Sequence, residues 1–519
     1  MNRRRFLQTA AAASLGLLNL PVIGRAFAPS ELADNSRFDI ILVGTGYGSA
    51  VTALRLAEKG KRCLMLEMGM DWQASGMKFS RMAWAEKQST WLKTHTIAPF
   101  GNYRVFPKFT GALDRIDFDQ VHVYAGRGVG GGSLVNGGMS VTPRRDYFEE
   151  IFPQLDAQAF YDKYFPLANR ELGVSVMPES YYRQSAYYQF SRVGEQEGCA
   201  AGYTVQKVPN VYDYDYMQKE EAGLVPKSGL QDEVIYGNNH GKKDLTKTYL
   251  KKALATGNVT ILGLHRVDRI ADQGDGSYAL SVSQINTEGE TVAQKTYHTG
   301  HLFLGAGSLG TTELLLKSHA EGTLPKLDGE VGRYWGNNGN TMAARAGLKH
   351  ALGSKQASIP AAGLAKWTKG DDAVFAEIAP FPTGVDLRVA LYLVINRVPK
   401  YGQLGYNAAA KRLELAWGKE HNAHMVRNAG QFLDKMNAAN GGWRSTIFPK
   451  GVEPKICYHP LGGCVLGKAT DAYGRLNRHK GIYITDGALI PASIGVNPYV
   501  TITALAEYCI EHVYQQDFA

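Results

Sequence analysis

The sequence is poor in cysteine, and this shortage argues against two kinds of protein. Five cysteines in 519 residues are too few for a disulfide framework. None of them forms a C-x-x-C pair, and Cys457, His459 and Cys464 lack the fourth ligand that a structural zinc site requires. We therefore predict neither a disulfide-stabilised fold nor a metal site.

Long apolar runs and a strong excess of one charge are also missing. No stretch after residue 28 is long enough to cross a membrane as a helix. The net charge of +9 is spread along the chain without a basic stripe interleaved with aromatic residues, so we expect no nucleic-acid partner. The composition is that of a globular protein, and the length exceeds that of one ordinary hydrophobic core. Two domains are expected, or one large elaborated domain.

The first 28 residues have the pattern of a twin-arginine export signal. Arg3, Arg4 and Arg5 precede an apolar stretch that ends in small residues at Ala28. We expect the protein to be exported by the twin-arginine route, to the periplasm or the medium. An uncleaved N-terminal anchor is the alternative, and Pro29 leaves the cleavage point open.

The stretch from Phe38 to Gly69 is typical of a dinucleotide-binding unit. An apolar run ends in Gly44-Thr45-Gly46-Tyr47-Gly48, apolar residues then recur at helical spacing, and a second apolar run ends at Glu67. Bare backbone at such a turn can approach a pyrophosphate at the start of the helix, and the acid can bind a ribose. The candidate contacts are Gly44, Gly46, Tyr47, Gly48 and Glu67.

The next segment, from Met70 to Val105, is apolar but irregular. It contains Trp72, Trp84 and Trp91 among other large apolar side chains. Such a segment can pack in a core, or it can form a lid over an apolar ligand site that also touches a lipid surface. The sequence leaves both interpretations open.

A second glycine-rich stretch, from Gly126 to Met139, favours a flavin over a nicotinamide cofactor. So many glycines exclude side chains from a surface that lies against something flat or charged, and the Val, Leu and Met between them are unlike a flexible linker. The contacts predicted here are Gly131, Gly132, Asn136, Gly137 and Met139.

Together the motifs resemble the glucose-methanol-choline (GMC) flavoprotein family. They are the two glycine stretches, Leu302–Gly310, Tyr458–Cys464 and Gly495–Pro498. Within this family they are similar to bacterial cholesterol oxidases with non-covalent FAD. The resemblance further implies FAD contacts from Val267, Asp486, Gly487 and Tyr499.

The resemblance implies an α/β fold in which two domains are interleaved. A Rossmann-like FAD-binding domain is expected over residues 36–75, 110–145, 240–335 and 455–519. A substrate-binding domain on a mostly antiparallel sheet with helices is expected over residues 76–109, 146–239 and 336–454. Local patterns predict a helix over residues 246–255, a strand over residues 259–262 and a helix that begins near Thr311. We expect a monomer.

Glu377 stands out because it interrupts an apolar strand. The alternation puts Phe375, Glu377 and Ala379 on one face, which is a poor face to expose to solvent. A solvent-facing glutamate is the ordinary alternative, whereas an apolar pocket would raise the pKa of the acid and suit it to move protons. The resemblance implies the second role.

His459 and Asn497 are the other two catalytic candidates. His459 precedes a proline in a glycine-flanked loop, which favours extended backbone there. Asn497 precedes Pro498 and is placed to be the N-cap of a helix from Tyr499 to about Val513. The resemblance implies that both hold the substrate hydroxyl.

The implied activity is oxidation of a 3β-hydroxysteroid such as cholesterol. Hydride transfer to the flavin is followed by isomerisation of a 5-en-3-one to a 4-en-3-one through Glu377, and O₂ then yields H₂O₂. Three alternatives stay open: a sister enzyme with another alcohol or electron acceptor, a non-catalytic sterol-binding protein, and an NAD-dependent reductase.

Export by the twin-arginine route can be tested by changing Arg3 and Arg4 to lysine together. The active enzyme is expected to remain in the cytoplasm, because this route recognises the arginine pair itself. Activity in periplasmic and cytoplasmic fractions measures the effect. Unchanged export of active enzyme would contradict the assignment.

Overall fold

The strands and helices were located in a computed structural model that describes residues 32–75, 89–97, 105–227, 229–230 and 240–519. The strands of these residues are, in chain order, β1 (Ser36–Val43), β2 (Cys63–Leu66), β3 (Leu113–Phe118), β4 (Val121–Gly126), β5 (Thr204–Lys207), β6 (Val259–Leu262), β7 (His265–Asp272), β8 (Tyr278–Ile285), β9 (Thr291–Leu304), β10 (Thr341–Ala346), β11 (Ala362–Lys366), β12 (Val374–Ala379), β13 (Val389–Asn396), β14 (Gln403–Asn407), β15 (Arg412–Ala416), β16 (Trp443–Arg444), β17 (Val452–Glu453), β18 (Ile456–Cys457) and β19 (Ile482–Ile484).

The α-helices of the same residues are α1 (Tyr47–Glu58), α2 (Trp72–Ser75), α3 (Arg145–Ile151), α4 (Ala157–Ala159), α5 (Phe165–Leu172), α6 (Glu179–Gln184), α7 (Gln189–Ala200), α8 (Tyr214–Glu221), α9 (Tyr249–Ala255), α10 (Gly307–Ala320), α11 (Lys419–Asn440) and α12 (Tyr499–Val513). None of them is long and apolar enough to cross a membrane.

The first sheet contains the dinucleotide-type unit. Its order is β6-β2-β1-β9-β8-β7, with β19 also paired to β9. The strands β6, β2, β1, β9 and β19 are mutually parallel, whereas β7 and β8 run antiparallel to their neighbours. Residues 40–43 of β1 are all buried, as expected for a parallel strand that is covered on both faces. The predicted order of strand, turn, helix and strand is confirmed.

Two helix starts and one N-cap differ from the sequence-based expectation, whereas α12 spans Tyr499–Val513 as predicted. Helix α10 begins at Gly307 rather than near Thr311, because the distant Asp486 carboxylate accepts a hydrogen bond from the Gly307 N–H at 2.9 Å. The predicted N-cap at Asn497 is wrong, since Pro498 occupies that position and no side chain caps α12. The predicted helix over residues 246–255 is split into a 3₁₀ turn, Leu245–Lys247, and α9.

The second sheet is antiparallel and has the order β16-β10-β13-β12-β11-β5, with β17 paired to β10. Helices α7 and α11 pack on one face, where Ala376, Ile378 and Tyr392 belong to the same buried cluster as Phe432 of α11. The predicted fold class is confirmed, since strands of the first sheet and strands of the second sheet alternate along the chain. The exact domain boundaries stay a prediction.

Most large apolar side chains in the described part of segment 70–105 pack within the protein, whereas Val105 is 74% exposed. Trp72 and Trp91 are 2% and 5% exposed, and the Trp72 ring lies 6.3 Å from that of Phe109. Residues 76–88 and 98–104 lie outside the described residues, and they include Met77, Phe79, Met82 and Trp84. The lid interpretation therefore stays a prediction that concerns mainly these residues.

The start of α1 should not tolerate a side chain on Gly48. A Cβ there would lie 1.4 Å from the Thr485 carbonyl oxygen, so main chain would have to move. Alanine stabilises a helix by about 1 kcal/mol relative to glycine, but the clash here opposes that gain. We expect its cost in folding free energy to exceed the ~1–3 kcal/mol that overpacking typically costs. Gly48→Ala should lower the thermal midpoint or prevent folding. Gly300→Ala in β9 is the control, because a Cβ there meets nothing within 4 Å. Equal thermal midpoints for the two variants would contradict this prediction.

Candidate active site

One cavity of about 1720 Å³ lies between the carboxyl ends of the parallel strands and one face of the second sheet. Its lining brings together segments that are far apart in sequence. Every residue predicted for the site lines it: Gly44, Gly46, Tyr47, Gly48, Glu67, Gly131, Gly132, Asn136, Gly137, Met139, Val267, Glu377, His459, Asp486, Gly487, Asn497 and Tyr499. The structure confirms their proximity, while their individual roles stay predictions.

The glycines of the two motifs have two different functions in the structure. A Cβ added to Gly44 would lie 2.4 Å from the Gly305 oxygen, and a Cβ added to Gly131 would lie 2.8 Å from the Gly46 Cα. Neighbouring backbone therefore leaves no room for a side chain at these two positions. At Gly132 a Cβ meets nothing within 4 Å, and at Gly46 it meets only Gly305 at 3.8 Å. Since both residues line the cavity, a side chain there would project into it. Bare main chain at the start of α1 fits the pyrophosphate of an adenine dinucleotide.

Glu67 closes β2 and holds three backbone segments together. Its carboxylate accepts hydrogen bonds from the N–H groups of Thr45 (3.2 Å), Gly69 (2.9 Å) and Gly128 (3.1 Å). Burial raises its pKa, and these hydrogen bonds oppose the change. Besides the predicted ribose contact, Glu67 therefore ties the first glycine turn to the second.

Tyr47, Asn136 and Tyr499 form a connected wall of the cavity. The two tyrosine rings are stacked with centroids 4.8 Å apart and planes 15° apart. The Asn136 side chain donates to the Tyr47 hydroxyl at 2.6 Å, and the Tyr499 hydroxyl donates to the Gly138 carbonyl at 2.8 Å. This network fixes the glycine-rich stretch against α12, where the sequence predicts the ring of the cofactor.

Asp486 uses both carboxylate oxygens within the protein. One accepts from Gly307 N–H, and the other accepts from Ala488 N–H at 2.9 Å. Burial raises the pKa of Asp486 to about 6. Gly487 follows it on the cavity wall, so the predicted contact with the cofactor can come from the backbone of this turn.

Glu377 is a fully buried carboxyl group on the face of β12 that lines the cavity. The predicted alternation is confirmed, because Val374, Ala376 and Ile378 face the helices on the other side. Neither carboxylate oxygen has a hydrogen-bond partner among the described residues, and the side chain is 0% exposed. Burial raises the pKa of Glu377 to about 8, and the nearby Asn497 amide lowers it to a smaller extent. The solvent-facing alternative is wrong.

His459 lies in an irregular loop directly after β18, where β18 pairs with β4. Its Nδ1 atom is 3.0 Å from the side-chain nitrogen of Asn340 and 3.3 Å from that of Asn338. Burial alone lowers the pKa of His459 to about 3, so the ring is neutral at physiological pH.

Asn497 is free to act in the cavity because it does not cap α12. It is 3% exposed, and its side-chain oxygen has no hydrogen-bond partner within the described ranges. An unpaired buried acceptor of this kind is costly unless a ligand satisfies it. Asn497 therefore fits the predicted role of holding a hydroxyl group.

Sequence reasoning missed several residues of the site. Met342, Leu391 and Leu393 give the cavity its apolar wall, and Asn338 and Asn340 lie behind His459. The unusual Gly336-Asn337-Asn338-Gly339-Asn340 run immediately before β10 was a visible signal for the two asparagines.

The buried Glu377 carboxyl group should make stability depend on pH. Its folded pKa of about 8 is above the ordinary 4.5, so the folded protein keeps a proton that the unfolded chain releases between these values. Wild-type stability is therefore lost as pH rises through this range. Glu377→Gln should match the wild type near pH 4.5 and exceed it by a few kcal/mol near pH 8, since one pKa unit corresponds to ~1.4 kcal/mol.

Thermal midpoints of the two proteins from pH 4.5 to 8.5 measure this difference. The exposed Glu288 offers a control, and Glu288→Gln is expected to follow the wild type at every pH. A difference between wild type and Glu377→Gln that stays constant with pH would refute the raised pKa.

Family models match most of the chain. Residues 38–333 match the model described as GMC oxidoreductase, and residues 338–448 match that described as GMC oxidoreductase, C-terminal. A further GMC oxidoreductase model matches residues 412–506.

Individual relatives are distant but cover nearly the whole chain. A cholesterol oxidase of Acinetobacter baumannii is 23% identical over 92% of this chain and 95% of its own length. A cholesterol oxidase of Mycobacterium tuberculosis is 24% identical over 91% of this chain and 90% of its own. The long-chain-alcohol oxidase FAO4B of Arabidopsis thaliana is 24% identical over 91% of this chain and 67% of its own.

Solved structures share the fold. A pyridoxine 4-oxidase from "Mesorbium loti" superposes with a TM-score of 0.61 at 16% identity, over 92% of this chain and 99% of its own. Since a single family model spans more than half of the sequence, the chain belongs to the GMC oxidoreductase family of FAD-binding, alcohol-oxidising enzymes.

Proposed function

We propose that this enzyme oxidises 3β-hydroxysteroids such as cholesterol with FAD and O₂, and that it isomerises the first product. The observation that carries the proposal is Glu377, a fully buried carboxyl group without a hydrogen-bond partner among the described residues, on an otherwise apolar wall. Oxidation of a simple alcohol needs one base, whereas a double-bond shift needs a group that can also return a proton. Similarity to two bacterial cholesterol oxidases supports this choice.

The polarity of the cavity lining also favours a large apolar alcohol. Met342, Leu391 and Leu393 line it on the sheet face beside Glu377, whereas the part lined by residues 354–358 includes Lys355 and Gln356. A rigid apolar body with a hydroxyl at its inner end would bury its surface against this wall. A sugar would find few polar partners there.

The polar residues at the inner end can divide the work of oxidation. FAD, when bound, accepts the hydride that leaves the alcohol carbon. His459 and Asn497 hold the alcohol oxygen, and Glu377 in its ionised form takes the O–H proton, which leaves a ketone. The raised pKa of Glu377 makes its carboxylate a stronger base than an exposed one.

Isomerisation would use the same carboxyl group without any net change of protons. Once the proton taken from the hydroxyl has passed to solvent, the Glu377 carboxylate takes a proton from C4 of the 5-en-3-one and returns it to C6, and the double bond moves into conjugation with the ketone. A carboxylate is suited to this transfer when it has no competing partner in the protein. Neither oxygen of Glu377 has a hydrogen bond of normal length within the described residues, and Asn497, which holds the alcohol, is the polar group that lowers its pKa.

We further propose that FAD is held without a covalent bond. The two histidines of the lining have their Nδ1 atoms in hydrogen bonds, which disfavours a flavin link through that nitrogen. His459 Nδ1 contacts two asparagines, and His265 Nδ1 lies 2.7 Å from the Gly263 oxygen. Acid precipitation should therefore release the yellow colour into the supernatant, and colour retained in the pellet would refute this.

Export, membrane contact and a monomeric state complete the proposal. The arginine pair of the N-terminal segment supports the export of a folded protein with its cofactor. The apolar residues of segment 70–105 support transient contact with a sterol-containing membrane. Loss of vesicle binding when this segment is made polar would support that contact, and unchanged binding would refute it.

Titration with cholesterol in the absence of air tests the substrate and the isomerase step together. Cholesterol should bleach the flavin bands, and admission of air should restore them with formation of H₂O₂. The wild type should release a 4-en-3-one. Glu377→Gln should oxidise cholesterol more slowly, because it lacks the base for the hydroxyl proton. The product that does form should accumulate as the 5-en-3-one, because an amide cannot carry a proton from C4 to C6.

Several outcomes would contradict the proposal. No bleaching by cholesterol, with bleaching by a long-chain primary alcohol or pyridoxine, would identify another GMC alcohol oxidase instead. Bleaching that only a quinone or dye reverses would identify a dehydrogenase. Isomerisation by Glu377→Gln at the wild-type rate would remove that residue from the second step.

A further inference from the structure

The loop before β10 places two buried asparagines against one nitrogen of His459. Asn338 and Asn340 are both 0% exposed. Their side-chain nitrogens lie 3.3 Å and 3.0 Å from the Nδ1 atom of His459. The other ring nitrogen, Nε2, is not part of these contacts.

Backbone groups elsewhere fix which way each amide points. The Asn340 side-chain oxygen accepts from the Tyr458 N–H at 3.0 Å. The Asn338 oxygen accepts from the Ile494 N–H at 2.8 Å, and its nitrogen also donates to the Val496 carbonyl at 2.8 Å. Rotation of either amide by 180° would set N–H against N–H and cost a buried hydrogen bond.

Two donors that face Nδ1 determine where the ring carries its proton. A neutral imidazole has one donor and one acceptor nitrogen, so Nδ1 must be the acceptor and Nε2 must carry the hydrogen. In a doubly protonated ring, the Nδ1–H group would point at the N–H groups of both amides, which is unfavourable. Burial, which lowers the pKa of His459, acts in the same direction.

We propose that Asn338 and Asn340 are positioning residues that hold His459 in the Nε2–H form, so that it donates a hydrogen bond to the substrate oxygen and does not act as the base. This inference rests on the proposed role of His459 in holding the alcohol. It leaves Glu377 as the group that takes the hydroxyl proton.

Within the described residues, the side-chain hydrogen bonds of His459 Nδ1 are those with Asn338 and Asn340. The titratable groups Tyr124, Glu377 and Tyr499 line the same cavity, and Cys457 and Tyr458 are neighbours of His459 in the chain. None of them contributes to the pKa of His459, for which burial is the single cause among the described residues.

Asn340→Asp is the sharpest test because it changes only the donor. The aspartate can still accept from Tyr458 N–H, but it presents an oxygen to Nδ1, which attracts a proton to that nitrogen. We expect kcat to fall by about 10²-fold with little change in KM, as when a preorganised donor is removed. The pH profile should gain a new ionisation near neutrality. Asn338→Asp, which keeps its Ile494 contact, should act in the same way but more weakly.

Asn337→Asp is the matched control for a new buried carboxylate in the same loop. Asn337 is also 0% exposed, and its amide contacts Gly339 N–H and the Asn340 carbonyl rather than His459. It should keep the wild-type pH profile, while any loss of stability should be shared by all three variants. Equal pH profiles for Asn340→Asp and the wild type would overturn the proposal.

A spectroscopic measurement on the wild-type holoenzyme needs no substrate and no variant that folds poorly. In ¹⁵N-histidine-labelled protein, with the His459 signals identified by their loss in His459→Gln, Nε2 should be protonated and Nδ1 unprotonated from pH 5 to 8. A protonated Nδ1 would overturn the inference even if cholesterol proves to be the substrate. Conversely, failure of cholesterol as substrate would leave this result unaffected.

Discussion

Direct contact between bare segments of main chain is the constraint on which the rest of this structure depends. Gly44 lies against Gly305, Gly48 against Thr485, and Gly131 against Gly46, each too close for a side chain. These contacts bring four distant parts of the sequence to one edge of the parallel sheet. The cavity lining, the start of α1 and the Glu67 hydrogen bonds all follow from that arrangement.

Desolvation, rather than ion pairing, sets the chemistry at the inner end of the cavity. Burial raises the pKa of Glu377 to about 8 and lowers that of His459 to about 3. At a pH between these two values both groups are neutral. The site therefore holds an acid, Glu377, and a base, His459, without a salt bridge between them. An apolar alcohol can enter such a site without displacing a charged group from its counterion.

The sequence was informative where local patterns determine structure. The parallel strand run before Gly44, the alternation around Glu377 and the location of the site residues could all be predicted. The start of α10 could not be predicted, because it depends on Asp486, which lies more than a hundred positions from Gly307. The environment of Asn497 could not be predicted either, because Pro498 takes the N-cap position of α12. The run that contains Asn338 and Asn340 was visible in the sequence, but only the folded chain brings these residues beside His459.

The order in which the chain supplies the parts of the cofactor cradle has a consequence for biosynthesis. Gly44 is synthesised first, Gly131 and Gly305 follow, and Thr485, Asp486 and Tyr499 come well over a hundred residues after Gly305. A nascent chain on the ribosome therefore lacks one wall of the cradle until residues 485–499 have been made. Capture of the flavin in this cradle has to follow the synthesis of that segment.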